Sequence, residues 1–258
     1  MEESCLYHYT SIENLSLILK YKTFRFKPLN TLDDLLEGIC RDGFELRKCV
    51  FVSCWTEIER ESIPFWNMYT PNMSGVRIRM PKKMFTDRSV VIDHPRVQAS
   101  VQFSILGEEE HIKRDYLILP THNNYLQKVT YTEDENLLFP KILHSDVDGD
   151  TFKYGPVGLY KKTEWEFQKE WRYLIRVFPR KYDSTSKEID VFKQIGEGII
   201  DKMDVPMEHI DVTISEDAFK DMVVMLGPKT TDAQRVIVES LKLYNPSLKI
   251  EESQIKIR

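Results

Sequence analysis

Residues 5–10, Cys-Leu-Tyr-His-Tyr-Thr, alternate apolar and polar positions and predict a short strand. Ser11 then stands as a helix cap before Ile12, Leu15, Ile18 and Leu19, whose spacing predicts a helix; Asn14 occupies the place where a capping box would want Glu or Gln. Thr23 to Lys27 alternate as a second strand, and Pro28-Leu29-Asn30 lead into an expected acidic helix over Thr31–Glu37, with Gly38 as its stop. Val50 to Trp55 have the composition of a buried strand. A polar loop over 57–61 precedes Ser62–Tyr69, a helical segment with Pro64 in its first turn and Trp66 and Tyr69 on one face. Val76 to Met80 predict a strand with Arg77 and Arg79 on the same side.

Further along, Ser89–Ile92 and Leu126–Tyr131 are expected to pair as strands across a long polar segment, which suggests an insertion around 85–125 in one domain spanning 1–258. Glu170 to Val177 form a strand, Arg180 to Glu188 a polar connector, and His209–Ile214, Val223–Leu226 and Lys249–Ile257 further strands. Thr230–Leu243 predict a helix whose apolar stripe is Ala233, Val236, Ile237, Leu241 and Tyr244. There is no internal repeat, and helices and strands mix without strict βαβ alternation, so the expected class is α+β rather than doubly wound.

Composition narrows the function classes. With 36 Lys plus Arg against 41 Asp plus Glu, the formal charge is −5, which disfavours a general nucleic-acid coat. The four cysteines, Cys5, Cys40, Cys49 and Cys54, lack a C-x-x-C spacing, so reduced thiols rather than zinc ligands or disulfides are expected. The acidic start, Met-Glu-Glu-Ser-Cys, and the lack of any 20-residue apolar run point to a cytoplasmic protein without a membrane span. No P-loop, nucleophile elbow, H-E-x-x-H or Rossmann glycine pattern is present. The acidic run Asp146-Val147-Asp148-Gly149-Asp150 lacks calcium-loop spacing and reads as a solvated turn.

Candidate chemistry lies in dispersed residues that strand ends could gather into one cleft. His8 has the donor capacity for a ribose hydroxyl, with Thr10 beside it; Tyr69 or Trp66 could stack a planar base; Glu170 could orient a ribose hydroxyl and counter an electron-poor carbon. Each has a plainer reading: aromatics that wall the core, a histidine bonded to a carbonyl, and acids in solvated turns. Arg172 shares a face with Glu170, so it would meet either a ligand phosphate or the acids Asp33, Asp34 and Glu37.

The ordered set Leu6–Ser11, Pro28-Leu29-Asn30 with Asp33 and Glu37, Phe51–Trp55, Trp66-x-x-Tyr69 with Gly75-Val76, Glu170-Trp171-Arg172 and Leu226-Gly227-Pro228 resembles the bacterial family called domain of unknown function 2971. Its opening strand and dispersed residues are in turn similar to ADP-ribosyltransferase-like proteins. That resemblance implies a mixed, largely antiparallel split sheet with flanking helices, and a cleft for NAD as substrate, without metal. It also implies ADP-ribose transfer to a macromolecule or NAD hydrolysis, in bacterial defence or stress. By analogy His8 with Thr10 would hold the adenosine-side ribose, Tyr69 would pack on nicotinamide, and Glu170 would hold the nicotinamide ribose. A non-catalytic nucleotide-sensing or protein-interaction domain is the alternative.

Overall fold

The computed structural model describes residues 4–94, 97–121, 125–146, 149–182 and 191–257. Strand β1 (Cys5–Thr10) leads through Ser11, whose side chain accepts from Asn14 N at 3.2 Å, into helix α1 (Ile12–Tyr21), and Lys22 in the left-handed region turns the chain into β2 (Thr23–Pro28). Next come β3 (Val50–Thr56), α2 (Ile63–Tyr69) and β4 (Val76–Pro81). Ser62 caps α2 and Pro64 occupies its first turn, where a missing N–H costs nothing. The middle of the chain carries β5 (Arg88–His94), β6 (Val97–Ser104), α3 (Glu108–His111), β7 (Tyr116–Ile118), β8 (Leu126–Lys128), β9 (Thr130–Tyr131), α4 (Glu135–Leu138), β10 (Leu143–Asp146), β11 (Gly149–Phe152) and β12 (Tyr160–Lys161). The last part holds β13 (Glu170–Pro179), α5 (Val191–Ile200), β14 (Ile210–Thr213), α6 (Glu216–Lys220), β15 (Val223–Leu226), α7 (Asp232–Ser240) and β16 (Lys249–Glu252).

This is an α+β fold with a mixed, mostly antiparallel sheet ordered β14-β2-β3-β1-β4-β15-β16, with β15 and β16 the parallel pair. One edge of β3 is paired along its whole length with β13, from Val50↔Arg176 to Thr56↔Glu170. The other edge is shared: β2 meets it at Phe51 and Val52, and β1 meets it through the single pair Tyr7↔Thr56. Between those contacts, on this second edge, Ser53, Cys54 and Trp55 have no strand paired to them among the described residues, and the sheet splits there into a β2-β14 branch and a β1-β4-β15-β16 branch. The core on both branches is apolar and close-packed, with Leu6, Leu15, Leu19, Phe26, Phe51, Ile78 and Met80 at 0% exposure.

Four expectations are corrected. Thr31–Glu37 is not an α-helix: a short 3-10 turn covers Leu29–Thr31, and the Asp34 carboxylate accepts from Leu36 N at 3.0 Å, a local bond that competes with helical pairing. Gly38 then takes φ +70° with Leu29 against its open side. β5 pairs with β6, whereas Leu126–Lys128 pairs with β13, because the intervening segment folds back as its own hairpin. In α7 the buried positions are Val238 and, one turn on, Leu241; Val236 and Ile237 are 63% and 50% exposed, so most of the apolar stripe faces outward. The expected strand over 249–257 ends at Glu252.

The acidic run Asp146–Asp150 lies where β10 and β11 pair as a hairpin; Val147 and Asp148 lie outside the described residues, as do positions 183–190 of the expected polar connector. Among the described residues no helix is long and apolar enough to cross a membrane.

Candidate functional site

The split leaves a cavity of about 490 Å³ between its branches, walled by β1, α1, β2, β3 and α2. His8, Thr10, Tyr69 and Glu170 all line it; Trp66 and Arg172 do not. His8 and Glu170 reach it from strands that are not neighbours, since β3 runs between β1 and β13. Strand ends do gather the two residues at one cleft, but from strands on opposite sides of β3.

His8 sits over the gap in β3. Its Nδ1 lies 2.9 Å from the Cys54 carbonyl oxygen, and its ring packs against Trp55 and Phe24 with centroids 5.1 and 6.4 Å away. A carbonyl can only accept, so Nδ1 carries the proton and Nε2 keeps its lone pair. Burial pushes the pKa of His8 down, more than the bond to Cys54 raises it, which favours that neutral form. His8 therefore offers the cleft an acceptor where the sequence suggested a donor. Beside it, the Thr10 hydroxyl accepts from Asn14 Nδ2 at 3.0 Å, which leaves its own proton available.

Lys161 and Glu170 line the cleft, and with Arg172 and Glu37 behind them they form a buried charge quartet. Arg172 is fully buried; Nε and Nη2 donate to Glu170 at 2.7 and 3.1 Å, Nη1 and Nη2 to the Glu37 carboxylate, and Nη1 to the Gly158 carbonyl at 2.9 Å. Those five bonds engage all five N–H groups of the guanidinium, so Arg172 has none left for a ligand phosphate. Lys161 Nζ donates to Glu170 at 3.1 Å and to Gln168 Oε1 at 2.8 Å, and lies 3.8 Å from Glu37. Two cations thus balance two carboxylates, the condition for burying any of them. Desolvation alone would raise the carboxyl of Glu170, yet Arg172 and Lys161 outweigh it and hold its pKa at about 2. Opposed influences also act on Arg172: burial lowers its pKa, and Glu170 and Glu37 lift it well above the ordinary value.

Of the two aromatic candidates, Tyr69 faces the cleft and its phenol oxygen accepts from Gln168 Nε2. Trp66 is fully buried, its ring edge-on to Tyr9 at 4.8 Å and its Nε1 donating to Glu61 at 3.1 Å. It anchors α2 against β1. Of the acids expected to meet Arg172, Glu37 does so, while Asp34 caps its own turn and Asp33 lines the cleft.

Lys161 and Gln168 were not legible beforehand. They belong to a two-residue strand and a 3-10 turn, too short for any periodicity, and only the pairing of β12 with β9 puts Lys161 under Glu170. Arg77 and Arg79 line a separate cavity of about 440 Å³, in which Arg77 stacks on Tyr7 at 4.7 Å and donates to the Glu59 carbonyl at 2.6 Å. Among the described residues no group of three His, Cys, Asp or Glu side chains is placed to share a metal ion.

No curated protein and no solved structure matches the chain. Residues 65–173, which carry Tyr69, Lys161, Gln168, Glu170 and Arg172 but not His8, match the model of the family described as protein of unknown function (DUF2971).

Proposed function

We propose that the cleft binds NAD or a related nucleotide and that the protein acts as an ADP-ribosyltransferase-like enzyme, transferring ADP-ribose to a macromolecule or hydrolysing NAD. The observation that carries this reading is that His8, Thr10, Tyr69 and Glu170, from distant parts of the chain, line one cleft at the sheet split. Neutral His8 accepts a ribose hydroxyl proton at Nε2, the Tyr69 ring supplies a flat apolar wall, and Glu170 stays ionised at any physiological pH. As the bond between the anomeric carbon and nicotinamide breaks, its electron pair leaves with nicotinamide, and the Glu170 carboxylate favours the positive charge left on the sugar. Water or an acceptor hydroxyl then bonds to that carbon and releases its proton. None of these steps calls on a metal.

A second reading, a nucleotide sensor or protein-interaction module without turnover, is favoured by one observation: both Glu170 oxygens already accept from Arg172 or Lys161. Calorimetry with NAD followed by a nicotinamide-release assay, with and without chelator, separates the two. Binding with chelator-insensitive release supports the enzyme, and binding without release supports the sensor. No binding of NAD or related nucleotides at millimolar ligand removes the enzyme and the sensor and leaves the protein-interaction module. Because Glu170→Gln also disturbs the buried quartet, its loss of turnover counts only if thermal unfolding stays cooperative; His8→Asn, outside the quartet, is the companion variant.

A further inference from the structure

We infer that Tyr69 is a hydrogen-bond donor to the cleft's ligand, that Lys161 and Gln168 impose this polarity, and that the site therefore selects ligands presenting a carbonyl or phosphoryl oxygen at that wall. The inference rests on the cleft being a nucleotide site, and it adds which kind of ligand atom meets Tyr69.

The argument starts at Lys161. An ammonium has three donors and no acceptor, so the Gln168 atom 2.8 Å from Nζ is the amide oxygen. That orientation turns Gln168 Nε2 toward Tyr69, and an amide NH₂ can only donate. The Tyr69 oxygen is thereby the acceptor, and its own proton is left without an acceptor among the described residues. Lys161 is itself held in place by Glu170 at 3.1 Å and by the Trp165 ring at 4.8 Å, so the amide is not free to flip. Desolvation, with Glu170 and Asp33 nearby, raises the phenol pKa, so the proton stays on.

A ligand oxygen at this wall completes the half-satisfied phenol. A ligand ammonium or amide N–H would instead meet it proton to proton and leave two donors unpaired in a partly desolvated site. The relay thus sorts ligands by hydrogen-bond polarity, independently of stacking on the same ring.

The test has two arms. In the first, Raman difference spectra of unliganded protein against Tyr69→Phe read the hydrogen-bond state of the Tyr69 phenol through its Fermi doublet. Gln168→Glu, whose carboxylate accepts from the phenol, should shift the doublet toward the donor form. Should Gln168→Glu fail to fold, Gln168→Leu, which removes the amide donor without adding charge, should also move it. An unchanged doublet in the folded variant overturns the inference. In the second arm, calorimetry with NAD should find Tyr69→Phe, which keeps the ring, binding about tenfold more weakly than wild type. Equal affinity would mean that Tyr69 only stacks and would overturn the inference. If wild-type protein fails to bind NAD at millimolar concentration, the nucleotide reading falls, and the spectra alone decide the polarity of Tyr69.

Discussion

His8 Nδ1 donates to the Cys54 carbonyl at 2.9 Å, and this bond bridges β1 and β3 at the place where their backbone pairing stops. One side chain does the work of a missing ladder bond while it faces the cleft. The bond to Cys54 uses Nδ1 alone, so the proposed ligand contact, which would use Nε2, does not compete with it.

The two roles separate by substitution. In His8→Asn the side-chain amide can stand where Nδ1 stands and keep the bond to Cys54, but nothing replaces Nε2. In His8→Gln the amide reaches past Cys54 and leaves a partly buried carbonyl without this partner, at a cost of about 1 kcal/mol. Urea unfolding should rank His8→Asn above His8→Gln in stability, while calorimetry should show that His8→Asn has lost NAD affinity. Full affinity in His8→Asn would assign the histidine to the fold alone.

Arg172 ties Glu37 to Glu170 across 133 positions of chain. Arg172→Met leaves two buried carboxylates facing one lysine, and we expect it to lower unfolding free energy by about 3–5 kcal/mol in denaturant titrations. Arg172→Lys should recover only part of this, having three donors in place of five. An Arg172→Ala protein of wild-type stability that had lost nucleotide binding would show that Arg172 serves the ligand.

Acid should weaken the fold in two steps. The pKa of His8 is lowered from 6.5, so the folded state prefers the neutral ring; that stability is complete above pH 6.5 and declines as pH falls below it. The pKa of Glu170 is lowered from 4.5 to about 2, so its contribution is complete above pH 4.5 and is lost between there and about pH 2. Urea midpoints across this range should fall gently and then steeply. His8→Asn should flatten the upper step only, and an unchanged upper step would exclude His8 as its source.

Gly75 lies where the chain leaves α2 and passes β1. A Cβ there would stand 2.3 Å from the Thr10 carbonyl oxygen and 2.6 Å from Thr70 Cβ, so Gly75→Ala forces backbone apart beside the cleft. We expect a loss of about 1–3 kcal/mol, read by thermal unfolding. By contrast, Ile237→Lys on the exposed side of α7 should stay within about 0.5 kcal/mol of wild type.

The strands β1, β2, β3, β4, β13 and β15 and the helices α1 and α2 were legible in the chain, because each carries a local signal: alternation in β1 and β2, an apolar run in β3, and start residues such as Ser11 before α1 and Pro64 inside α2. Of the candidates His8, Thr10, Trp66, Tyr69, Glu170 and Arg172, singled out as residue types, all but Trp66 and Arg172 line one cleft. Tertiary structure alone decided what each atom does. The split arises because β1 and β2 compete for one edge of β3, and that competition is between elements distant in sequence. The face that α7 buries depended on what packed against it, since periodicity marks a stripe but not its partner. Lys161 and Gln168 carry no local signal, and the polarity of Tyr69 follows from a chain of donors that exists only once β12, β13 and α2 meet. Hydrogen-bond direction is a property of neighbours, and the neighbours here are set by the fold.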